Sequence, residues 1–307
     1  MNVLGFDTSN YTTSIAYFNG IGGENVSKLL PVKAGELGLR QSDAVFSHTK
    51  SLPELSGRLF SNIQFGQISA VGVSTRPRAV EGSYMPCFMV GYSHAKLLAD
   101  LLNVPLVEVS HQQGHIAASA WSANRLDLLD QPHLAWHLSG GTTELLLVEP
   151  EGRNVRCHKI GGTSDISAGQ LIDRTGQLLG LPFPAGKHLD HLSQTAVGQD
   201  VFKVKCPGME FSLSGVQNKV QQFHGRNGRP EETAAYTLRC VAMAVSLATA
   251  NACRAYPDLP VIFSGGVASN SLLRSSLTQF NPVFAQPEFS TDNAMGVAVL
   301  THRLQEM

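Results

Sequence analysis

The sequence predicts an α/β protein of two lobes, each a mixed five-stranded sheet covered by helices. Apolar, β-prone runs alternate with segments of helical spacing along the chain, and this alternation is typical of sheets packed against helices. The pattern also starts twice, because DTSNYTTSIAYF and LSGGTTELLLVE both contain a strand, a small polar turn and a second strand with a Thr-Thr pair. This internal similarity indicates two lobes of related design.

The first half begins with a predicted hairpin, in which strands at residues 3–6 and 12–18 flank a polar turn at residues 7–10. We expect strands and helices to alternate through the rest of this half. The predicted elements are a strand near residues 27–32, a helix at 49–63, a strand at 68–73, a helix near 85–102, a strand at 105–109 and a helix at about 111–121.

The second half predicts similar elements, except that residues 190–229 show no clear pattern. The predicted strands are residues 134–138, 144–148, 155–160 and 260–263, and the predicted helices are 168–179, 231–256, 269–280 and 294–304. Because polar residues cluster at 122–131, we expect a boundary there, with a first lobe at 1–125 and a second lobe at 126–292. We also expect a C-terminal helix at 293–307 that returns to the first lobe. Proteins of this design bind ligands at strand ends, which predicts a nucleotide cleft between the lobes.

The composition predicts an ordered, cytoplasmic protein. Hydrophobic residues make up 43% of the chain and charged residues 15%, and the formal net charge of −1 gives no long-range attraction to nucleic acid or an anionic membrane. The five cysteines are odd in number and lack a C-x-x-C spacing, which is typical of reduced thiols. We expect no signal peptide in MNVLGFDTSN and no membrane span in the apolar stretch at 241–253, which is short and contains polar residues.

The segment HQQGH contains the strongest candidate metal ligands. His111 and His115 follow a predicted strand and Ser110, which can cap a helix, and a spacing of four places both imidazoles on one helix face. Such a pair suits a divalent transition metal, although the same spacing also occurs on solvated helix faces. Gly114 lowers helix stability relative to Ala, which indicates a local requirement. Asp292 precedes the last helix, where an Asp can serve either as an N-cap or as an oxygen ligand.

Three turns of small residues lie at corresponding strand ends and are candidate phosphate-binding loops. They are Asp7-Thr8-Ser9, Ser139-Gly140-Gly141-Thr142 and Ser264-Gly265-Gly266. Glycines allow backbone N–H groups to approach a phosphate closely, although tight hairpins use them too. Further candidates are Asp173 and Asp190, because carboxylates near a nucleotide commonly accept hydrogen bonds from ribose hydroxyls. Gly169 and Gly186 lie near them in the sequence and are candidates with them. The alternative for Asp173 is a solvated helix position paired with Arg174.

Together these segments resemble the glycoprotease-type family of tRNA threonylcarbamoyl-adenosine synthases over nearly the whole chain. The motifs that carry the resemblance are HQQGH, SGGTTELLLV, AGQLIDRTGQLLGLPFPAG, FSLSGVQNKV, FSGGVASNSLLR and FSTDNA. The resemblance implies the actin/hexokinase-like ATPase fold, ATP or an acyl-adenylate as ligand, and one divalent metal ion, iron or zinc. In that family the substrate is threonylcarbamoyl-adenylate, and the metal orients or polarises its carbonyl for attack by a tRNA adenine amine.

The resemblance also implies roles for individual residues. His111, His115 and Asp292 match the metal ligands of the family. The residues that we assign to the nucleotide site are Ser139, Gly140, Gly141, Thr142, Gly169, Asp173, Gly186, Asp190, Gly265, Gly266 and Asn270. Some relatives carry a Tyr ligand two residues before the Ser of the SGG motif, and His137 occupies that position here. Strand alternation places His137 on the same face as Ser139, so we predict a fourth ligand, with a hydrogen bond in the core as the alternative.

Several segments depart from the family's pattern. DTSNYTT stands where the family has a turn similar to ETSCDET, so Asn10 and Tyr11 or their neighbours replace an acidic pair. RPRAVEGSYMP stands in place of a loop similar to RGPGLVGAL, Thr142 replaces a His, and Gln170 replaces a Glu. These departures identify the chain as a divergent paralog.

The sequence therefore predicts a metal- and ATP-binding transferase that moves a threonylcarbamoyl or carbamoyl group, with Asp7 and Ser9 as catalytic candidates. Two alternatives stay open: a non-catalytic nucleotide-binding subunit that supports a partner, and a carbamoyltransferase that acts on a different acceptor. A metallopeptidase is disfavoured because no Glu lies beside the histidines as in H-E-x-x-H. The predicted partners are a nucleotide, tRNA, and either a paralogous subunit of the same fold or a second copy of the chain. We expect no membrane partner.

Overall fold

The computed structural model describes residues 1–9, 11–31, 39–61, 63 and 67–306. The chain divides into two units. Unit 1 consists of Met1–Gln131, Glu149–Cys157 and Asp292–Met307, and unit 2 consists of Pro132–Val148 and His158–Thr291. The C-terminal helix therefore belongs to the same unit as the N-terminal strands.

Unit 1 contains a mixed sheet of five strands. In sheet order the strands are β3 (Gly23–Leu29), β2 (Thr12–Phe18), β1 (Asn2–Asp7), β4 (Ile68–Arg76) and β5 (Leu106–Ser110). Strands β1, β2 and β3 pair antiparallel, whereas β1, β4 and β5 pair parallel. The helices of this unit are α1 (Gln41–Phe60), α2 (Phe88–Leu102), α3 (His111–Ser122) and α9 (Met295–Gln305). The hairpin that opens the chain is thus present, as the sequence predicts.

The two faces of this sheet carry different side chains. Leu4 and Phe6 point to one face and pack in a cluster with residues of α1 and α2. Gly5 and Gly72 lie on the other face, where an added Cβ would come within 2.7 Å and 1.7 Å of atoms in and just before α9. The absence of side chains at these two positions therefore lets α9 lie directly on β1 and β4. This close packing fixes the start of α9, where Asp292 is found.

Unit 2 contains a mixed sheet of six strands. In sheet order they are β11 (Val283–Phe284), β10 (Val261–Ser264), β6 (His133–Leu138), β7 (Thr143–Glu151), β8 (Asn154–Thr163) and β9 (Glu210–Phe211). The ends of β7 and β8 at Glu149–Cys157 are grouped with unit 1. The helices are α4 (Ala168–Leu178), α5 (Gly186–Ser193), α6 (Ser214–Asn227), α7 (Pro230–Ala255) and α8 (Ser271–Leu277). The fully buried Trp136 donates its indole N–H to Thr249 Oγ1 at 2.9 Å, which ties β6 to α7.

Helix α7 is long and apolar enough to cross a membrane by length and composition. However, 72% of its most apolar window is buried inside the protein. Core helices of soluble proteins pass the same test, so α7 is only weak evidence for a membrane span.

Three sequence predictions about these elements need correction. The second sheet has six strands rather than five, because β9 and β11 have two residues each and are too short to show a period. Helix α1 begins at Gln41 rather than near residue 49, because Ala44 and the polar His48 continue its buried face. The predicted strand at 27–32 lies at Gly23–Leu29, and Val32 falls outside the described residues. Residues 190–229, which showed no pattern, contain the end of α5, then β9 and α6.

Candidate functional site

The first residue of α3 is His111, which follows β5 directly. Ser110 caps this helix: its Oγ accepts a hydrogen bond from Gln113 N at 3.2 Å, and Gln113 Oε1 accepts one from Ser110 N at 2.9 Å. Gln113 Nε2 also donates to the Val155 carbonyl oxygen at 2.7 Å, which binds the helix start to the end of the β7–β8 hairpin. Ser110 is the cap that the sequence predicts, whereas the role of Gln113 was not predicted. The S-x-x-Q spacing of a capping box was the signal that could have identified it.

A contact between two glycines brings the start of α9 to this part of α3. An added Cβ at Gly296 would lie 1.8 Å from the Gly114 carbonyl oxygen and 2.7 Å from Ala118 N. An added Cβ at Gly114 would lie 3.3 Å from a Val297 methyl carbon. Backbone therefore packs against backbone at Gly296, and the 3.3 Å approach of Val297 leaves little room for a side chain at residue 114 of the HQQGH segment.

Asp292 lies three residues before α9 and faces the two histidines. Its Oδ1 is 3.2 Å from His115 Nε2 and 3.5 Å from His111 Nε2, and the two Nε2 atoms are 2.9 Å apart. The capping alternative does not hold, because the N-cap residue of α9 is Ala294 and the side chain that accepts from Met295 N is that of Asn293. Two imidazoles from one helix turn and a carboxylate 177 residues from His115 thus meet in unit 1.

The chemistry and spacing of these three atoms suit a metal ion. Among the residues that the structure describes, His111, His115 and Asp292 form the group whose ligand atoms all lie within 4.8 Å of one another. Bonds from zinc or a similar ion to such ligands are about 2.0–2.2 Å long. Each distance in the triangle is shorter than twice that length, so one ion could contact all three atoms. Two nitrogens and one carboxylate oxygen are a donor set typical of catalytic zinc and non-haem iron sites.

The charges of the group are strongly coupled. Burial disfavours the protonated form of His111, but Asp7 and Asp292 outweigh this cost and raise the pKa of His111 to about 10. Burial likewise disfavours the Asp292 carboxylate, but hydrogen bonds and charge from His111 and His115 hold the pKa of Asp292 well below its usual range. The negative charge of Asp292 is therefore stabilised, as a carboxylate ligand requires.

The other predicted residues of the first-lobe turn lie beside this group. Asp7 is 1% exposed, and its Oδ2 is 2.6 Å from His111 Nδ1. Ser9 is 3% exposed, and its backbone N–H donates to Asp7 Oδ1 at 2.8 Å. Asn10 lies outside the described residues. The turn therefore contacts the back of His111, and neither side chain is exposed.

His137 lies on β6 in unit 2, whereas His111, His115 and Asp292 lie in unit 1. Its Nδ1 is 3.5 Å from Ser264 Oγ on the neighbouring strand. It is not a member of the described three-residue group. Its role as a fourth ligand stays a prediction.

The glycine-rich turns of unit 2 come together at the ends of β6 and β10. Gly169 at the start of α4 lies against residues 139–140, because an added Cβ there would be 2.5 Å from both Ser139 O and Gly140 Cα. Gly265 has a φ of +91°, and an added Cβ would lie 2.1 Å from Leu138 O. By contrast, within the part of the chain that the structure describes, an added Cβ at Gly140, Gly141 or Gly266 would meet nothing within 4 Å apart from its own chain neighbours. These turns thus pack tightly on one side and leave an open backbone surface on the other.

Three hydroxyl groups fix this arrangement. Ser167 Oγ donates to Gly140 O at 2.6 Å, and the Ala168 N–H donates to Thr143 Oγ1 at 2.8 Å. Thr142 N donates to Ser139 Oγ at 3.1 Å and closes the turn. Ser167 also forms a capping box with Gln170, which explains why a Gln is accepted where the family has a Glu.

The remaining predicted nucleotide contacts bind backbone groups in unit 2. Asp173 Oδ1 accepts from Ala185 N at 2.8 Å, next to Gly186 at the start of α5, and burial raises the pKa of Asp173. Asp190 accepts from the N–H of Ser271 at 3.1 Å and from its hydroxyl at 2.7 Å. Asn270 caps α8 through a hydrogen bond from Leu273 N at 2.9 Å. Asp190 and Asn270 thus meet at the start of α8.

Comparisons with known proteins identify related sequences. A family model for tRNA N6-adenosine threonylcarbamoyltransferase matches residues 38–299. The tRNA N6-adenosine threonylcarbamoyltransferase of Streptococcus mutans is 32% identical over 253 residues, which cover 78% of this chain and 71% of the relative. The protein of the same name from Thermosipho africanus is 30% identical over an alignment of 323 residues including gaps, which covers 99% of this chain and 94% of the relative.

Solved structures resemble the chain in fold. Full-length HypF in its phosphate- and nucleotide-bound form aligns with a TM-score of 0.61 at 14% identity, over 100% of this chain and 56% of that chain. The ROK hexokinase from Thermus thermophilus aligns with a TM-score of 0.52 at 13% identity, over 98% of both chains. At these identities the likeness shows the fold alone, which is the actin/hexokinase-like ATPase fold that the sequence predicts.

Proposed function

The chain belongs to the tRNA N6-adenosine threonylcarbamoyltransferase family, and from this premise we propose that it transfers a threonylcarbamoyl group from an acyl-adenylate to the N6 amine of an adenosine in tRNA. The family consists of transferases, which agrees with the activity class that the sequence predicts. The observation that carries the proposal is the meeting of His111, His115 and Asp292 at one point of unit 1.

The proposed metal site uses these three residues. Each histidine offers its Nε2, and Asp292 offers an anionic oxygen, which lowers the cost of placing a divalent cation in this partly buried position. A bound iron or zinc ion would supply Lewis-acid polarisation of the acyl carbonyl. The predicted fourth ligand, His137, belongs to the same proposal.

The proposed nucleotide site uses the turns of unit 2. Gly140 and Gly141 are proposed to present their backbone N–H groups to the phosphate of ATP or an acyl-adenylate, because the space around an added Cβ at either position is open among the residues described. Asp173 and Asp190 are proposed to accept hydrogen bonds from ribose hydroxyls, and Asn270 to contact the adenine. The other proposed contacts are Ser139, Thr142, Gly169, Gly186, Gly265 and Gly266.

A nucleoside assay tests the transfer. The chain is incubated with threonylcarbamoyl-adenylate and a tRNA transcript, and the digested RNA is analysed by mass spectrometry for threonylcarbamoyl-adenosine. We expect modified nucleoside with the wild type and none with His115→Ala. The matched control is His94→Ala, a histidine on α2 of the same unit that bonds to Val90 O at 2.8 Å. If the wild type forms no modified nucleoside under these conditions, the proposed activity is wrong.

A second candidate is self-association through an apolar groove, which corresponds to the predicted partner that is a second copy of the chain. The groove lies between α1 and α2, has a volume of about 260 Å³ and is lined by Leu52, Phe60, Leu97 and Leu101 among others. Leu97 and Leu101 are 70% and 79% exposed. They project from α2 and also line the groove, so the surface could complement a second copy of itself across a two-fold axis.

Light scattering tests this second candidate. We propose a second copy of the chain as the occupant and expect a dimer for the wild type that Leu101→Asp converts to a monomer. A wild type that stays monomeric at high concentration would reject self-association. Unchanged mass for Leu101→Asp would place the dimer contact on another surface.

A further inference from the structure

The back of His111 is held by a buried carboxylate. Asp7 Oδ2 is 2.6 Å from His111 Nδ1, and the Asp7 side chain is 2% exposed. This distance is that of a hydrogen bond, and we assign Nδ1 as the donor because a carboxylate oxygen is an acceptor. The opposite nitrogen, Nε2, faces His115 and Asp292. The two nitrogens of His111 therefore have different partners on opposite sides of the ring.

Asp7 is itself fixed by its own turn. Its second oxygen, Oδ1, accepts a hydrogen bond from Ser9 N at 2.8 Å, which forms an Asx turn. The intervening Thr8 donates its hydroxyl to Cys87 O at 2.9 Å and accepts from Gly91 N at 3.0 Å. The turn is thus attached to the start of α2, so the carboxylate has little freedom to move.

We propose that Asp7 is a positioning residue for the site rather than a catalytic one: it holds His111 with Nδ1–H directed at the sheet and Nε2 directed at the ion. Burial and the use of both oxygens keep the Asp7 carboxylate away from a substrate, which is why the catalytic role expected from the sequence does not suit it. This inference rests on the proposed metal site for its purpose, but the Asp7–His111 hydrogen bond exists independently of any ion.

The proposal has two physical consequences. A hydrogen bond to Nδ1 prevents rotation of the ring about its bond to Cβ, which would carry Nε2 away from His115 and Asp292. It also increases the electron density on Nε2, which makes that nitrogen a stronger ligand. Loss of such a partner typically weakens metal affinity by about 10- to 100-fold.

The experiment combines zinc affinity with NMR of the ring proton. The variants are Asp7→Ala and the nearly isosteric Asp7→Asn, which keeps the shape of the side chain if the alanine variant does not fold. In Asp7→Asn, the amide NH2 can face His111 Nδ1 only if that nitrogen carries no proton, which moves the ring proton to Nε2 and removes the lone pair that would bind the ion. The matched control is Asp100→Asn on α2, whose carboxylate is exposed and pairs with Lys96.

The two measurements separate the possible results. We expect zinc affinity to fall about 10- to 100-fold in both Asp7 variants and to remain unchanged in Asp100→Asn. We also expect a far-downfield Nδ1–H proton signal from His111 in 15N-histidine-labelled wild type, both with and without zinc. This signal should be absent from His111→Ala and should be shifted or lost in the Asp7 variants. Wild-type zinc affinity and an unchanged proton signal in both Asp7 variants would overturn the proposal. A wild type that binds no zinc but shows the Asp7-dependent signal would refute the metal site and leave the positioning contact standing.

Discussion

The contact between α3 and α9 gives the sharpest prediction, because it joins the fold to the site. In Gly296→Ala the new Cβ would be 1.8 Å from the Gly114 carbonyl oxygen, whereas real Cβ contacts are not shorter than 3.0 Å. The helices must therefore separate by about 1.2 Å or distort locally. Overpacking of this kind costs about 1–3 kcal/mol, and the upper end is expected here because both opposing atoms belong to backbone. The higher helix propensity of Ala offsets about 1 kcal/mol. We expect a net loss of about 2 kcal/mol.

The same substitution should also weaken metal binding. Asp292 lies only four residues before Gly296, so movement of α9 displaces its carboxylate from the histidines. A displacement of about 1 Å exceeds the tolerance of about 0.2 Å expected for metal–ligand bonds. We therefore expect zinc affinity to fall by more than about tenfold, which is the lower bound for loss of an outer partner.

Urea unfolding and zinc titration measure both effects. The matched control is Gly57→Ala, which makes the same change in α1 at a position where, among the described residues, only the adjacent backbone of the helix itself lies near the new Cβ. We expect this control to gain about 0.5–1 kcal/mol and to keep wild-type zinc affinity. If Gly296→Ala is as stable as Gly57→Ala and binds zinc equally well, the helix contact does not hold the site together.

Two further predictions concern single polar side chains. Gln113→Glu should destabilise unit 1 by about 1–3 kcal/mol, because a carboxylate oxygen would replace the amide N–H that donates to Val155 O at 2.7 Å. Urea unfolding measures this loss, and equal stability of Gln113→Glu and wild type would refute the prediction. Asp165 accepts hydrogen bonds from Ser212, Leu213 and Ser214, and although its partial burial opposes ionisation, these bonds hold the pKa of Asp165 well below its usual range. Because the pKa of Asp165 is lower in the folded than in the unfolded protein, its ionised carboxylate stabilises the fold above the unfolded pKa of 3.8. This contribution to stability is lost as the pH falls below that value. Asp165→Asn should therefore be less stable than wild type by about 1 kcal/mol at pH 7, a small effect because the carboxylate is exposed. The difference in unfolding free energy between Asp165→Asn and wild type should narrow below about pH 4. A difference that stays constant down to about pH 3 would show that ionisation of Asp165 is not its cause.

Local rules were sufficient for part of the site. The helical repeat alone places His111 and His115 one turn apart, and the glycine turns at strand ends follow from composition. The position of Asp292 does not follow from local rules, because 177 residues separate it from His115. Only the family resemblance indicated it, since spacing alone favoured an N-cap.

Other features depend on contacts between distant segments and could not be read from a pattern. The Asp7–His111 bond spans 104 residues, and neither segment signals its partner. The sequence marks Gly114 as unusual, but the neighbour that an added Cβ there would meet is Val297 on another helix. Helix α1 was predicted too short because the signal came from its leucines, whereas its first turns bury Ala44 and His48, and the polar His48 pairs with Thr13 Oγ1 at 2.8 Å.

The proposed metal site holds one divalent ion between His111, His115 and Asp292. X-ray absorption spectroscopy of the zinc-loaded chain, with metal content measured in parallel, tests it most directly. We predict about one zinc per chain bound by at least two imidazoles and a carboxylate, and loss of that zinc in His115→Ala but not in His94→Ala. A third imidazole that disappears in His137→Ala would support the fourth ligand. If His115→Ala retained stoichiometric zinc with an unchanged number of bound imidazoles, these three residues would not be the ligands of the ion.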